Sequence, residues 1–230
     1  MVGFRVHCIG SSHAVRIARS LAQSPGFGEE FSVDSTCAQS GKVFKDINWP
    51  DFSKYDKRDV LIIVPFGNDI FQRNSIKIER LKKGKIIHLV KSAPTSDEHL
   101  ASLCESLSEK LKGTQAEVII VTSFYRHLFC CADLWKVNPK AESYKHAHPG
   151  IVGIQDRKNK FILSFFKGSG YLVFKHEALL FDNHLRNGRV PKVEYRKKQP
   201  DSVHFNDKVY LEIVNRLLEQ ARALLTCLDP

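Results

Sequence analysis

A serine near the start of the chain and an aspartate and a histidine near its end have the residue types of a nucleophilic triad. Ser12 follows a glycine and a serine, while Asp201 and His204 are three residues apart. A serine hydroxyl is a good nucleophile only when a histidine accepts its proton, and that histidine needs a partner on its other ring nitrogen to fix its tautomer. These types predict Ser12 as nucleophile, His204 as general base and Asp201 as the residue that orients His204.

Two segments between those ends carry groups that can donate hydrogen bonds to an oxyanion. Gly41 offers a backbone N–H, and Asn68, within Gly67-Asn68-Asp69, offers a side-chain amide. Attack on an ester carbonyl places negative charge on its oxygen, and N–H groups aimed at that oxygen lower the barrier. Singly, each residue also has a structural interpretation as a helix cap or a turn residue. In this order along the chain they are typical of a serine hydrolase.

The elements around these segments predict an α/β fold. Short apolar runs indicate strands, and apolar residues at helical spacing indicate helices. The predicted strands are 4–9, 31–33, 60–64, 86–90 and 117–122, and the predicted helices are 12–22, 96–111 and 206–225. The β-branched run at 60–64 is typical of a parallel strand covered on both faces. A strand, turn and helix over residues 4–22 would place Ser12 at the carboxyl end of a strand, where open α/β folds keep their sites.

Residues 125–200 follow a less regular pattern, which we interpret as an elaboration within a single domain of residues 1–230. Two aromatic runs, 161–166 and 171–174, are joined by Lys-Gly-Ser-Gly and predict a β-hairpin. The aromatic side chains of these runs would pack in the core. The alternative is a stacking surface for single-stranded nucleic acid.

The chain is strongly basic, with a net charge of +10 and an isoelectric point near 9.3. Residues 140–200 hold thirteen Lys and Arg against five Asp and Glu. The excess is centred on two clusters, Arg157, Lys158 and Lys160, and Arg196, Lys197 and Lys198. Such clusters form either a solvated face or a contact surface for nucleic acid or an anionic membrane.

The cysteines and the hydropathy pattern indicate an intracellular protein, either cytoplasmic or nuclear. The six cysteines form no C-x-x-C pair and no disulfide framework. The first residues lack the apolar core of a signal peptide, and no apolar run reaches the roughly 20 residues of a membrane span. The histidines at 146 and 148 and the cysteines at 130 and 131 do not have the spacing of a tetrahedral zinc site. We therefore expect neither a metal nor a cofactor.

The complete set resembles the SGNH (GDSL-like) hydrolase superfamily, whose members are mostly esterases, lipases and deacetylases with a flavodoxin-like three-layer α/β/α fold. The first motif of that family is a strand followed by Gly-Asp-Ser, and here it reads Gly10-Ser11-Ser12. The resemblance implies that Ser12 is the nucleophile and that Ser11 replaces the usual aspartate. It spans nearly the whole chain, from Phe4 to the predicted C-terminal helix.

The remaining motifs of the family imply the other roles. Gly41 and Gly67-Asn68-Asp69 match the second and third motifs, so the Gly41 N–H and the Asn68 amide would form the oxyanion hole. Asp201 and His204 match the final Asp-x-x-His motif. The activity that the resemblance implies is hydrolysis of a short-acyl or acetyl ester.

The basic region leaves a second function open. In this alternative the hydrolase fold is kept with little or no activity, and residues 140–198 bind nucleic acid or anionic lipid. Basic modules of this type are similar to the esterase domains in the first open reading frame of some LINE-type retrotransposons.

Overall fold

The computed structural model describes residues 3–70, 76–81, 84–89, 95–125, 142–176 and 204–226. In residues 76–81, 84–89 and 142–152 it describes the backbone alone. The predictions made for Asp201, for the cluster Arg196, Lys197 and Lys198, and for the cysteines at 130 and 131 lie outside these residues.

The described part of the chain contains seven strands and four α-helices, with two short 3-10 helices between β2 and β3. In order they are β1 Phe4–Gly10, α1 Ser12–Leu21, β2 Phe31–Asp34, β3 Asp59–Val64, β4 Ile76–Leu81, β5 Gly84–Leu89, α2 Asp97–Leu111, β6 Glu117–Val121, α3 Glu142–Phe165, β7 Leu172–Phe174 and α4 Asp207–Thr226. Within these ranges, no helix combines the length and the hydropathy that crossing a bilayer requires.

Five of the strands form one parallel sheet in the order β2-β1-β3-β6-β7. Strands β4 and β5 form a separate antiparallel ribbon. The chain leaves β1 toward β2 on one side, whereas β3 lies on the other side of β1. This is the flavodoxin-like order, in which the crevice beyond the carboxyl ends of the two strands at the switch point is the usual ligand site. Here that point lies between β1 and β3.

Two hydrophobic cores cover the two faces of the sheet. Helices α1 and α4 pack on one face, and α2 and α3 pack on the other. Along β3, Val60 and Ile62 face α1 and α4, whereas Leu61 and Ile63 face α2 and α3. Because both faces are buried, the strand is apolar at every position rather than at alternate ones. The α/β three-layer fold predicted from the sequence is confirmed.

The hairpin predicted in the basic region is wrong. Residues 161–165 end helix α3, and residues 172–174 form an edge strand that runs parallel to β6. Ile162 and Phe166 are four residues apart, so they share one side of the chain and are both fully buried. After the helix, Gly168 adopts a φ of 84°, which a glycine accommodates without strain. This part of the predicted elaboration therefore supplies a helix and a strand of the core, and its aromatic residues pack inside it or against it.

Candidate active site

The turn between β1 and α1 places Ser12 at the switch point. Gly10 has a φ of 131°, and a Cβ atom on it would lie 2.2 Å from the carbonyl oxygen of Val64, so this position accepts only glycine. The N–H of Ser11 donates to the same carbonyl at 3.3 Å, which ties the turn to β3. Ser11 is the N-cap of α1, and Ser12 is the first residue of the helix.

Ser12 and His204 are in hydrogen-bond contact although 192 residues separate them. The distance from Ser12 Oγ to His204 Nε2 is 2.8 Å, within the range for proton transfer between a nucleophile and its base. His204 lies just before α4, and the next residue, Phe205, is fully buried in the core and anchors this segment. The structure therefore joins the two residues that the sequence predicts as nucleophile and base.

The start of α1 also favours negative charge beside Ser12. The first N–H groups of a helix have no acceptor within that helix, and the helix dipole is positive at this end. The sequence of α1 has no acidic residue in its first turn. An oxyanion formed at Ser12 would therefore lie in a favourable field.

The loop after β3 packs directly against this turn. A Cβ atom on Gly67 would lie 2.7 Å from Ser11 Oγ, so the glycine allows the close approach. The Ser11 hydroxyl is 1% exposed and has no hydrogen-bond partner among the described residues. Ser11 therefore acts as a packing residue under the turn, while the neighbouring Ser12 side chain is partly exposed.

Hydrogen bonds join the two loops that carry the predicted oxyanion donors. Asn68 Nδ2 donates to the carbonyl oxygen of Lys42 at 2.8 Å. The carboxylate of Asp69 accepts the N–H of Phe44 through both oxygens, at 3.1 and 3.0 Å. Gly41 lies at the start of the same segment, with a φ of 75°. The loop after β2 and the loop after β3 are thus held as one unit beside Ser12.

Asp69, in the loop after β3, has a carboxyl whose pKa is raised. Burial raises the pKa of its carboxyl to about 6, and the hydrogen bond from the Phe44 N–H acts in the opposite direction. The sequence interpretation assigned Asp69 no role beyond its place in the motif. In the structure its carboxylate positions the loop that carries Gly41.

A second histidine, His13, packs beside His204, and sequence reasoning missed it. His13 is 2% exposed, its ring stacks on Phe124 at 4.2 Å, and its ring centroid lies 5.1 Å from that of His204. A hydrogen bond of 2.7 Å links His13 Nδ1 to the hydroxyl of Tyr210 in α4. The only signal in the sequence is a histidine next to the apolar face of α1. These contacts form the wall behind His204.

Two lysines of the predicted basic cluster on α3 form ion pairs within the protein. Lys158 is 7% exposed, and its ammonium contacts Asp97 at 2.6 Å. Lys160 is mostly exposed and pairs with Asp156 at 2.9 Å. Lys158 therefore joins α3 to the start of α2. The prediction that the basic region contacts a polyanion stays a prediction.

The parallel sheet with helices on both faces matches the α/β fold of solved SGNH hydrolases. A likeness in fold extends over nearly the full length of solved enzymes of this class. An acetyl xylan esterase from Geobacillus stearothermophilus is 14% identical, with a TM-score of 0.56 and 96% of each chain covered. A lipase/acylhydrolase from Enterococcus faecalis is 12% identical, with a TM-score of 0.56 and 96% of each chain covered.

A third solved structure carries the name of the superfamily. This protein from Slackia heliotrinireducens, assigned to the SGNH hydrolases, is 16% identical, with a TM-score of 0.55, and the match covers 96% of this chain and 99% of that chain. No protein-family model matches the chain, and no curated protein sequence matches it. At these identities the likeness is one of fold.

Proposed function

We propose that the protein is a serine hydrolase that cleaves short-acyl or acetyl esters. The observation that carries the proposal is the 2.8 Å contact between Ser12 Oγ and His204 Nε2 at the carboxyl edge of the sheet. His204 accepts the hydroxyl proton as Ser12 attacks the carbonyl carbon, and then gives that proton to the departing alcohol. Water, activated in turn by His204, hydrolyses the acyl-serine and releases the acid.

The other roles are assigned to the residues that the motifs imply. The Gly41 N–H and the Asn68 amide donate to the oxyanion, and Asp201 orients His204. The bond from Asn68 to the Lys42 carbonyl supports the first assignment because it holds the amide in one plane, and a preorganised donor is what an oxyanion hole needs. The three-residue spacing from Asp201 to His204 supports the second.

The proposed substrate class rests on the enzymes that share the fold. The solved structures with this fold include an acetyl xylan esterase and a lipase/acylhydrolase. Both names describe removal of an acyl group from an oxygen ester. We therefore expect the smallest acyl group, acetyl, to be accepted.

Covalent labelling by a fluorophosphonate and turnover of p-nitrophenyl acetate test the proposal. Wild type is expected to be labelled on Ser12 and to release p-nitrophenol, and Ser12→Ala is expected to lose both. Asn68→Ala is expected to keep the label and to lose roughly 10²- to 10³-fold in kcat. The matched control is Ser11→Ala, because this neighbouring hydroxyl is buried away from the reagent. Equal turnover in wild type and Ser12→Ala would refute the assignment.

A further inference from the structure

A basic groove runs along the outer surface of α1 and α4. It has a volume of about 460 Å³, and its walls include Arg16 and Arg19 from α1 and Lys208 from α4. The ring of Tyr210 lines it, and the Arg16 guanidinium lies 5.9 Å from the centroid of that ring. Asp207 is the acidic residue of the lining, so the formal charge around the groove is positive.

The three cations of the groove have no carboxylate partner within the part of the chain that the structure describes, whereas the other two cations of α1 and α4 do. Elsewhere on α4, Arg216 pairs with Glu219 at 3.1 Å, and Arg222 pairs with Glu30 at 2.6 Å. Across the described ranges, Arg16, Arg19 and Lys208 form no ion pair with a carboxylate. Three unneutralised cations facing one concavity attract an anion, and each guanidinium can donate two parallel hydrogen bonds to a carboxylate or a phosphate.

Helix α1 carries Ser12 at its start and two of the groove cations further along. Arg16 is one helical turn after Ser12, about 6 Å along the axis of α1, and Arg19 lies about 10 Å along it. From the groove, the hydroxyl of Tyr210 reaches His13, which packs against His204. A molecule with its ester at Ser12 could therefore extend along the α1 surface toward these cations.

We propose that the groove is the subsite for an anionic group on the alcohol part of the ester substrate. This inference rests on the proposed esterase function, and it narrows the substrate class to acetyl or short-acyl esters of alcohols that carry a carboxylate or a phosphate. Because the two arginines follow Ser12 by about 6 and 10 Å along the helix axis, the anionic group would be separated from the ester by a spacer that extends along α1. Because the cations are open to solvent, their effect falls with salt.

Matched acetyl esters test the proposal. The charged substrates are 4-acetoxybenzoate and 4-acetoxyphenyl phosphate, and the neutral substrate is methyl 4-acetoxybenzoate. The quantity compared is the ratio of kcat/KM for a charged ester to that for the neutral ester, so that differences in intrinsic reactivity cancel between protein variants. Neutralising the three cations together, as R16Q/R19Q/K208Q, is expected to lower this ratio about tenfold at low salt. Sodium chloride is expected to lower it in wild type.

A control of equal charge change excludes a general effect of net charge. K54Q/K57Q/R58Q also removes three positive charges, from the segment before β3 at the opposite end of the sheet. Its ratio is expected to equal that of wild type. Thermal unfolding followed by circular dichroism checks that both triple variants are folded.

The possible outcomes distinguish a failure of the anion-subsite proposal from a failure of the proposed esterase function. Absence of fluorophosphonate labelling in wild type would overturn the esterase function and, with it, the substrate role of the groove. Labelling with an unchanged ratio in R16Q/R19Q/K208Q would overturn the groove alone, as would an equal fall in the control. A fall with both charged esters would support a general anion subsite. A fall with only one of them would identify the carboxylate or the phosphate as the group that is bound.

Discussion

Replacing Asp69 by asparagine is expected to stabilise the protein at neutral pH while leaving its loops in place. The carboxyl of Asp69 is partly buried beside Phe44, and this burial raises its pKa from 3.8 to about 6. Compared with the unfolded chain, the folded state therefore disfavours the ionised form, and ionisation of Asp69 at pH 7 lowers the free energy of unfolding. Asparagine keeps an oxygen that can accept the Phe44 N–H and carries no charge.

The size of the effect follows from the pKa difference between the two states. From about pH 4 to pH 6 the folded protein binds about one more proton at Asp69 than the unfolded chain does, so the free energy of unfolding falls as pH rises through this window. A difference of about 2 pKa units corresponds to about 3 kcal/mol at 1.4 kcal/mol per unit. The free energy of unfolding of Asp69→Asn minus that of wild type should thus be smallest near pH 4. It should increase by about 3 kcal/mol by pH 7.

Urea unfolding of both proteins between pH 4 and pH 8 measures this difference. Trp49 gives a fluorescence signal close to the site, because its Nε1 donates to the Phe44 carbonyl at 3.0 Å. Asp51→Asn is the matched control. Asp51 is fully exposed, and hydrogen bonds from Ser53 lower its pKa, so its ionised form adds stability that is lost as pH falls through the folded-state pKa. Because this contribution is complete above the unfolded-state pKa of 3.8, the difference between Asp51→Asn and wild type should change little between pH 4 and pH 8. A difference between Asp69→Asn and wild type that does not change with pH would refute the reasoning.

Two further substitutions test the turn and the wall of the site. Gly10→Ala should lower the free energy of unfolding by at least about 2 kcal/mol, because its Cβ would overlap the Val64 carbonyl and its φ of 131° is strained for alanine. Gly28→Ala, with a φ of 83° and no atom within 4 Å of the added Cβ, should cost only about 1 kcal/mol, and equal losses in urea unfolding would contradict the clash. Tyr210→Phe removes the buried hydrogen bond to His13 and should cost about 1 to 3 kcal/mol. A double-mutant cycle with His13→Phe checks this expectation, which zero coupling between the two substitutions would contradict.

The parts of the fold that the sequence predicts are those whose signals are local. The strand at 60–64 is apolar at each position because helices cover both faces of it. The helix predicted at 96–111 begins where Ser96 accepts the N–H of His99, and this capping pattern is visible in the sequence. The hairpin prediction is wrong because the consecutive apolar and aromatic residues at 161–166 are also typical of a strand. In the structure, burial of Ile162 and Phe166 selects the helix.

The parts that the sequence could not predict depend on contacts between distant segments. The hydrogen bonds from Asn68 to the Lys42 carbonyl and from the Phe44 N–H to Asp69 cross 26 and 25 residues, and they exist only after β2 and β3 have joined β1. The pairing of His13 with Tyr210 crosses 197 residues and requires α4 to dock on α1. Motif order was sufficient to predict that Ser12 and His204 lie close together, because the chemistry limits which residue types can act together. The order of the motifs carries no information about the side chains that position these two residues.

In the proposed mechanism, the distance in sequence between Ser12 and His204 also determines when during synthesis a reactive serine can exist. The two residues are 192 positions apart, so a ribosome adding about 5 to 20 residues per second makes His204 about 10 to 40 s after Ser12. During that interval the nascent chain has β1 and its serine but no base, and Ser12 remains an ordinary alcohol. Because His204 comes into place only with the last helix, reaction with a fluorophosphonate would report the completion of folding on a stalled or released chain.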